Sequence, residues 1–365
     1  MQEHTDPWDI TAQLDELRTQ GLWRELRPLN ELNGVTVRAE GREWLNFSSS
    51  ASRLVCGTHR VHADLEEALA DFKGTEAALT FSSGFAVALG TIPALMGAGD
   101  TIILDKLCHA SLVDAARLSG ATIRVFPHNH LEKLERLLQT AQGRVLVVTE
   151  SIFSMDGDAA PLREIVELKA RYGAWLLVDE AHAVGVLGPQ GRGLAAALGV
   201  DQQVDLHLGT LSKAFGLSGG YLAASRQVID LLINRARSFI YSTAPPVHLA
   251  HALGSILNLI RGEKGDALRA HVLSHAAQTQ ALLSEIGVTS PPGPAAILPV
   301  ILGEAPRALE VSARLREAGF LIPCIRYPTV ARGSARLRIT VSALHSAAQI
   351  DSLGIALRER LEPHG

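Results

Sequence analysis

Lys213 lies in the stretch 205–221, Asp-Leu-His-Leu-Gly-Thr-Leu-Ser-Lys-Ala-Phe-Gly-Leu-Ser-Gly-Gly-Tyr, where a short apolar run gives way to Thr210, Ser212 and a cluster of glycines. No carboxylate stands within four residues of it, and its neighbours are hydroxyls, small residues and apolar side chains. Such a setting solvates an ammonium poorly and lowers the amine's pKa. A neutral amine attacks a carbonyl and forms a Schiff base. Thr210 and Ser212 add donors that could hold a phosphate near that amine, and the glycines let backbone approach closely. The alternative is a surface lysine at a strand end.

Other polar residues stand where apolar runs stop. Ser83, Gly84 and Phe85 mark a strand-to-helix junction, where free N–H groups and the helix dipole favour a phosphate, although a plain turn reads the same. Asp179 follows an apolar run in Val178-Asp179-Glu180-Ala181-His182 and is poised to hold a protonated ring nitrogen. A buried carboxylate left unpaired there would be costly, and a helix cap or a metal ligand is the other reading. His109 opens a helix and offers a flat ring for stacking, with capping or packing an equal contender. Glu150 and the turn Ser151–Asp158, with Ser154 in it, follow another strand. Arg336 and Arg338 share one side of a strand, so spacing does not separate them. Arg24 and Arg27 fall near the end of a predicted N-terminal helix.

The elements that position these residues follow from hydrophobic periodicity. Ile10, Leu14, Leu17 and Leu22 predict a helix within 8–28, Glu43 to Phe47 a short strand, and Val61, Leu65, Ala68, Leu69 and Phe72 a helix over 61–73. Apolar strands then alternate with amphipathic helices: strands near 78–81, 101–104, 123–126, 144–149, 174–179, 205–209 and 219–224, with helices from about 109, over 130–139, 161–172 and 226–236. This alternation predicts an α/β domain with a mainly parallel sheet whose ligands lie at the carboxyl ends of the strands. Pro245 and Pro246 start a long helix. Beyond 260 the order becomes helix, strand 296–302, helix 305–318, strand 335–342 and helix 346–361. The expected division is an N-terminal segment 1–46, a large domain 47–260 and a smaller α+β domain 261–365.

Composition narrows the function. Lys and Arg number 34 against 38 Asp and Glu in 365 residues, a formal charge of −4 that points to no polyanionic partner, so no nucleic acid is expected. No apolar run reaches membrane-spanning length and the opening residues lack a signal segment, so a cytoplasmic protein off the membrane is expected. Cys56, Cys108 and Cys324 are widely spaced and read as reduced thiols; no metal site is expected, the pairs His59/His62 and His248/His251 lacking partners at ligand spacing.

Taken together, Asp179-Glu180-Ala181-His182 followed by Thr210-Leu211-Ser212-Lys213 resembles the fold type I pyridoxal-phosphate (PLP) enzymes, and more narrowly their α-oxoamine synthase family. Further matches are Asp105–Leu112, Phe153–Asp158, Gly191-Arg192-Gly193 and Ala335–Thr340. The resemblance runs over nearly the whole chain and makes residues 47–260 the PLP-binding domain. It implies that Lys213 is the covalent attachment point, that Asp179 pairs with the pyridine nitrogen, that His182 contacts the ring hydroxyl and that His109 stacks on the ring. Ser83, Gly84, Phe85, Thr210 and Ser212 resemble the phosphate cradle, with Glu150 and Ser154 beside the cofactor. Thr243 would reach the phosphate of a partner subunit, which implies a homodimer with the active site at the subunit interface. Arg338 is implied for the substrate carboxylate and Arg24 as a second arginine, a salt bridge being the other reading for Arg24 and Arg336.

The runs Arg235–Thr243 and Ile325–Val330 are most similar to those of family members that join L-alanine to a pimeloyl thioester with loss of carbon dioxide. Glycine-using members and a non-catalytic scaffold subunit of the same fold are the alternatives, and the presence of Lys213 argues against the scaffold. The sequence departs from the family in two respects, one being Ala88, which stands where the family commonly has asparagine near the cofactor. Between Asn46-Phe47-Ser48-Ser49 and Ala51-Ser52-Arg53-Leu54 it lacks a stretch about one helix and its loops in length, including an asparagine that helps bind the substrate carboxylate.

Overall fold

The computed structural model describes residues 8–31, 35–48, 51–288, 291 and 293–361. Ser49 and Ser50, at the shortened junction, and the opening residues lie outside them. The chain starts with α1 (Ile10–Thr19), β1 (Asn30–Glu31), β2 (Thr36–Ala39) and β3 (Arg42–Leu45). The predicted helix over 8–28 is thus cut short. Gly21, at φ +67°, turns the chain out of α1, and Leu22, which fits the helical spacing, is exposed. The strand expected at 43–47 is β3; it pairs antiparallel with β2, and Phe47 lies beyond it, 94% exposed.

The central layer follows in order: α2 (Arg60–Lys73), β4 (Ala77–Phe81), α3 (Gly84–Leu95), β5 (Thr101–Asp105), α4 (Ala110–Ser119), β6 (Thr122–Phe126), α5 (Leu131–Gln139), β7 (Val145–Glu150), α6 (Leu162–Arg171), β8 (Trp175–Asp179), α7 (Leu194–Ala197), β9 (Leu206–Thr210), β10 (Gly220–Ala224), α8 (Arg226–Arg235), α9 (Arg237–Ile240) and α10 (Val247–Arg261). These strands form one seven-stranded sheet in the order β4-β10-β9-β8-β7-β5-β6. β5 to β9 run parallel, and β10 runs antiparallel between β4 and β9. This is the mainly parallel sheet expected. Strands β4, β5, β9 and β10 are buried at every residue, because helices cover both faces. One face packs under α1, α3, α4 and α8, and the other under α5 and α6 with α2 and α10.

The chain ends with α11 (Glu263–Glu285), β11 (Ile297–Gly303), α12 (Ala305–Glu317), β12 (Cys324–Ile325), β13 (Ala335–Thr340) and α13 (Ala347–Leu361). The strands form an antiparallel sheet in the order β11-β13-β12, with its own apolar cluster against α11, α12 and α13. Among the described residues no helix is long and apolar enough to cross a membrane, and the three cysteines are free.

Candidate active site

Strands β4, β5, β7, β8 and β9 all end at one edge of the large sheet, and Ser83, His109, Glu150, Ser154, Asp179, His182, Thr210, Ser212 and Lys213 lie on or just beyond those ends. Glu150 and Asp179 are the last residues of β7 and β8 and stand opposite each other in the ladder. Asp179 is buried and its carboxylate accepts from Ala181 N–H at 2.9 Å. Burial pushes its pKa up to about 6; the Ala181 bond and the Lys213 charge work the other way. Burial also holds the Glu150 carboxyl well above the usual carboxylate range, and the neighbouring Asp179 adds to this. His109 N–H donates to Glu150 Oε1 at 2.6 Å.

His109, His182, Lys213 and Arg338 converge above this pair. Ser212 and Lys213 are exposed on the single chain, in contrast to the poorly solvated setting expected from their apolar neighbours. The amine is nonetheless depressed, first by partial desolvation and then by the Arg338 guanidinium, with Asp179 and Glu150 opposing. His182 is held down to about 3 by burial and then by the charges of Lys213 and Arg338, so its imidazole is neutral. His109 is lowered by burial and then by Lys213. It also caps α4, its Nδ1 accepting from Ser111 N–H at 3.2 Å, so the capping role and a fixed ring orientation come together. His182, Lys213 and Arg338 line one cavity of about 520 Å³, walled by apolar residues such as Phe215, Ile256 and Val341.

The two arginines of β13 part company. Arg336 is buried, paired with Asp156 at 2.6 Å and bonded to the Met155 carbonyl at 3.2 Å. Arg338 donates from Nε to the Ser154 carbonyl at 2.6 Å and from Nη1 to Thr340 Oγ1 at 2.9 Å, and it has no carboxylate partner among the described residues. Burial lowers its pKa.

Ser83 caps α3 by accepting from Ala86 N–H at 3.1 Å, which leaves the earlier N–H groups of that helix without intrahelical acceptors. Gly220 of β10 lies so close that a Cβ there would stand 2.7 Å from Gly84 N. Thr210 Oγ1 and Ser212 Oγ are 2.8 Å apart, and a Cβ on Gly84 would touch the Thr210 side chain at 3.4 Å. Ser83, Gly84, Thr210 and Ser212 thus share one corner, with Phe85 exposed beside it. Thr243 is exposed and bridges to Ser52, on a different cavity of about 360 Å³ lined by His62, Ser82 and Ser218. Arg24 is exposed as well. Its backbone is clasped by the Asn234 side chain, and it lines a groove of about 670 Å³ beside Asp71, Glu76 and Asp230 and apart from the Lys213 group.

Several charge pairs with buried members were not singled out in the sequence; Arg53 with Glu66 is one, and two more lie beside the site. Glu180 accepts from Lys73 Nζ at 2.5 Å and from Ala195 N–H at 3.0 Å; despite the cost of burial, Lys73 and His207 hold its carboxyl down to about 2. His128 lies between Asp105 and Asp158. Asp105 and Asp158, acids in motifs already noted, were the available signal for the second cluster, whereas Lys73 reads as one more residue on a helical stripe. His62 bonds the Pro245 carbonyl at 2.8 Å.

Comparison with known proteins places the chain. Residues 30–357 match the family described as aminotransferase class I and II. The 8-amino-7-oxononanoate synthase of Geobacter sulfurreducens is 45% identical over 94% of this chain and 95% of that protein. Its counterpart in Herminiimonas arsenicoxydans is 42% identical over 96% and 98%. Among solved structures, serine palmitoyltransferase from S. paucimobilis, with PLP bound, aligns at TM-score 0.82 and 27% identity over 97% of both chains. The 8-amino-7-oxononanoate synthase from Francisella tularensis aligns at 0.72 and 28% over 82% of this chain and 87% of that one. This chain is therefore a member of the aminotransferase class I and II family, in its α-oxoamine synthase branch.

Proposed function

We propose that this protein joins L-alanine to a pimeloyl thioester, on coenzyme A or a carrier protein, with loss of carbon dioxide to give 8-amino-7-oxononanoate, the PLP-dependent step of biotin synthesis that its relatives' names denote. The observation that carries the reading is the convergence of a depressed lysine amine, a buried acid and an arginine without a carboxylate partner at the carboxyl edge of the sheet.

PLP fits these residues. Asp179 is a buried carboxylate given one hydrogen bond by the described residues, an arrangement that a protonated ring nitrogen would complete. The corner of Ser83, Gly84, Thr210 and Ser212, kept open because Gly220 has no side chain, suits a phosphate at a helix N-terminus. When bound, PLP supplies an aldehyde for the amino group and a ring that takes up the electrons released at Cα.

The chain's own residues do the rest. Asp179 would hold positive charge at the ring nitrogen, neutral His182 would contact the ring hydroxyl and His109 would stack on the ring, while the His109 N–H holds Glu150. Ser154 presents its carbonyl to Arg338, which aims the guanidinium at the carboxylate of alanine; a planar fork suits that anion. Lys213 Nζ removes the Cα proton of alanine and later returns one to the same carbon. Between those transfers Cα bonds to the thioester carbonyl carbon, the thiol departs, and the carboxylate held by Arg338 leaves as carbon dioxide.

Thr243 is exposed and lines a different cavity from the Lys213 of its own chain, which supports its service to a second subunit in a homodimer. Arg24 is proposed as the second substrate arginine on the strength of the resemblance alone. A cytoplasmic location suits such a reaction. The test is incubation of the PLP-loaded protein with pimeloyl-coenzyme A and either alanine or glycine. 8-Amino-7-oxononanoate and carbon dioxide from alanine support the reading; turnover of glycine alone would replace alanine with glycine.

A further inference from the structure

His128 follows β6 and presents both ring nitrogens to acids. Nδ1 is 3.0 Å from Asp105 Oδ1 and Nε2 is 2.7 Å from Asp158 Oδ2. An ionised carboxylate only accepts, so both nitrogens donate and the ring is an imidazolium. The Phe153 ring meets it at right angles, centroids 4.3 Å apart.

Each acid shapes a turn of the candidate site. Asp105 ends β5; its carboxylate also accepts from Leu107 N–H at 2.8 Å and Asn129 N–H at 2.9 Å, which fixes the turn that delivers His109. Asp158 closes the turn 153–158, its carbonyl accepting from Phe153 N–H at 3.0 Å. On that turn the Ser154 carbonyl holds Arg338, while Met155 and Asp156 hold Arg336. Asn129 Nδ2 adds bonds to Asp158 at 3.3 Å and to the Ala159 carbonyl at 3.1 Å.

We infer that His128 is a positioning residue: one doubly donating ring ties the turn that presents His109 to the turn that anchors Arg338. The inference rests on the roles of His109 and Arg338 proposed above. Without the ring, Asp105, fully buried, and Asp158, largely so, lose the cation between them, and the two turns are free to separate. The groups facing His128 are Asp105 from β5, Asp158 and Phe153 from the turn, and its neighbour Asn129. Burial works against its charge, but the bonds from Asp105 and Asp158 outweigh this and push the ring up to about 10.

The test combines NMR of the PLP-free protein with kinetics of the loaded enzyme. Labelled histidine should show one ring protonated at both nitrogens well above the ordinary histidine pKa, and His128→Gln should remove that signal. His128→Gln should also weaken PLP binding and raise the KM for alanine about tenfold or more. Leu134→Ala, which trims a buried side chain of α5, should lower the melting temperature and leave both constants unchanged. If His128→Gln does not fold, Asp158→Asn serves, with the same rises and a downward move in the His128 titration. A His128 ring that is neutral at pH 8, or constants that shift no more than in Leu134→Ala, would overturn the inference. Should alanine prove not to be a substrate, the reaction assignment fails, while the NMR and PLP affinities still decide the clamp.

Discussion

Glu150 and Asp179 end adjacent parallel strands as register partners, two buried carboxyl groups side by side at the carboxyl edge of the sheet. Burial raises both pKa values, and Asp179 raises Glu150 further. A fold that buries two acids in this way is less stable with them ionised, and a positive charge held beside the pair would offset that cost.

That relationship has a pH signature. A carboxyl raised from an unfolded value near 3.8 to about 6 costs nothing below the lower value, and its penalty grows through that window to a plateau above it. His182, held down to about 3, gains stability over the same window, so the Asp179 contribution is read by difference: without PLP, Asp179→Asn should gain about 3 kcal/mol relative to the unchanged protein as pH rises from about 4 to 6. PLP should flatten the dependence. Urea unfolding across this range checks it; an Asp179→Asn protein with an unchanged pH dependence contradicts it.

Arg336 and Arg338 should separate in their effects. Arg338→Lys keeps the charge and loses the fork, and should raise the KM for alanine about a hundredfold with little change in melting temperature. Arg336→Met leaves Asp156 without its cation and should destabilise the fold by about 3 kcal/mol. Steady-state kinetics beside thermal unfolding tells them apart, and equal KM effects would contradict the assignment.

The Arg338 charge should also be felt at Lys213. Because Arg338 helps to depress the amine, Arg338→Met should move the pH at which the PLP-free Lys213 becomes reactive toward that of an ordinary lysine. Competitive acylation at a series of pH values, with the 213 peptide followed by mass spectrometry, measures this. No upward move would mean that Arg338 is not electrostatically coupled to the amine.

Beside the site, the Lys73–Glu180 pair is sealed in. Lys73→Met should destabilise by about 3–5 kcal/mol because Glu180 is then buried without its cation, and Lys73→Met with Glu180→Leu should recover part of the loss. Gly193→Ala should destabilise as well, since φ is +109° and a Cβ would lie 2.4 Å from Glu180 Oε1. Denaturant unfolding of the three variants checks both.

How far the sequence reached depended on the range of the interaction. The strands ending at Glu150, Asp179 and Thr210 read clearly because both faces are covered, so each is a mainly apolar run, interrupted only by Thr149 and His207, with a polar residue at its tip. The first helix read too long: Leu22 kept the spacing, while Gly21 had already turned the chain. Lys213 read as poorly solvated from its neighbours in sequence, but on the single chain its side chain reaches solvent. The resemblance separated Arg338 from Arg336; the Asp156 side chain and Ser154 carbonyl give the physical difference between them. Lys73 with Glu180, and His128 with Asp105 and Asp158, meet only in three dimensions; the motifs contained Asp105 and Asp158, but nothing local pointed to His128 or Lys73 as their partners.

Borohydride reduction of the PLP-loaded protein followed by peptide mapping decides whether the Lys213 amine holds the cofactor. The pyridoxyl mass should appear on the peptide that contains Lys213, with no such adduct and no turnover in Lys213→Ala. A stable adduct on another lysine, or undiminished turnover in Lys213→Ala, would contradict that role.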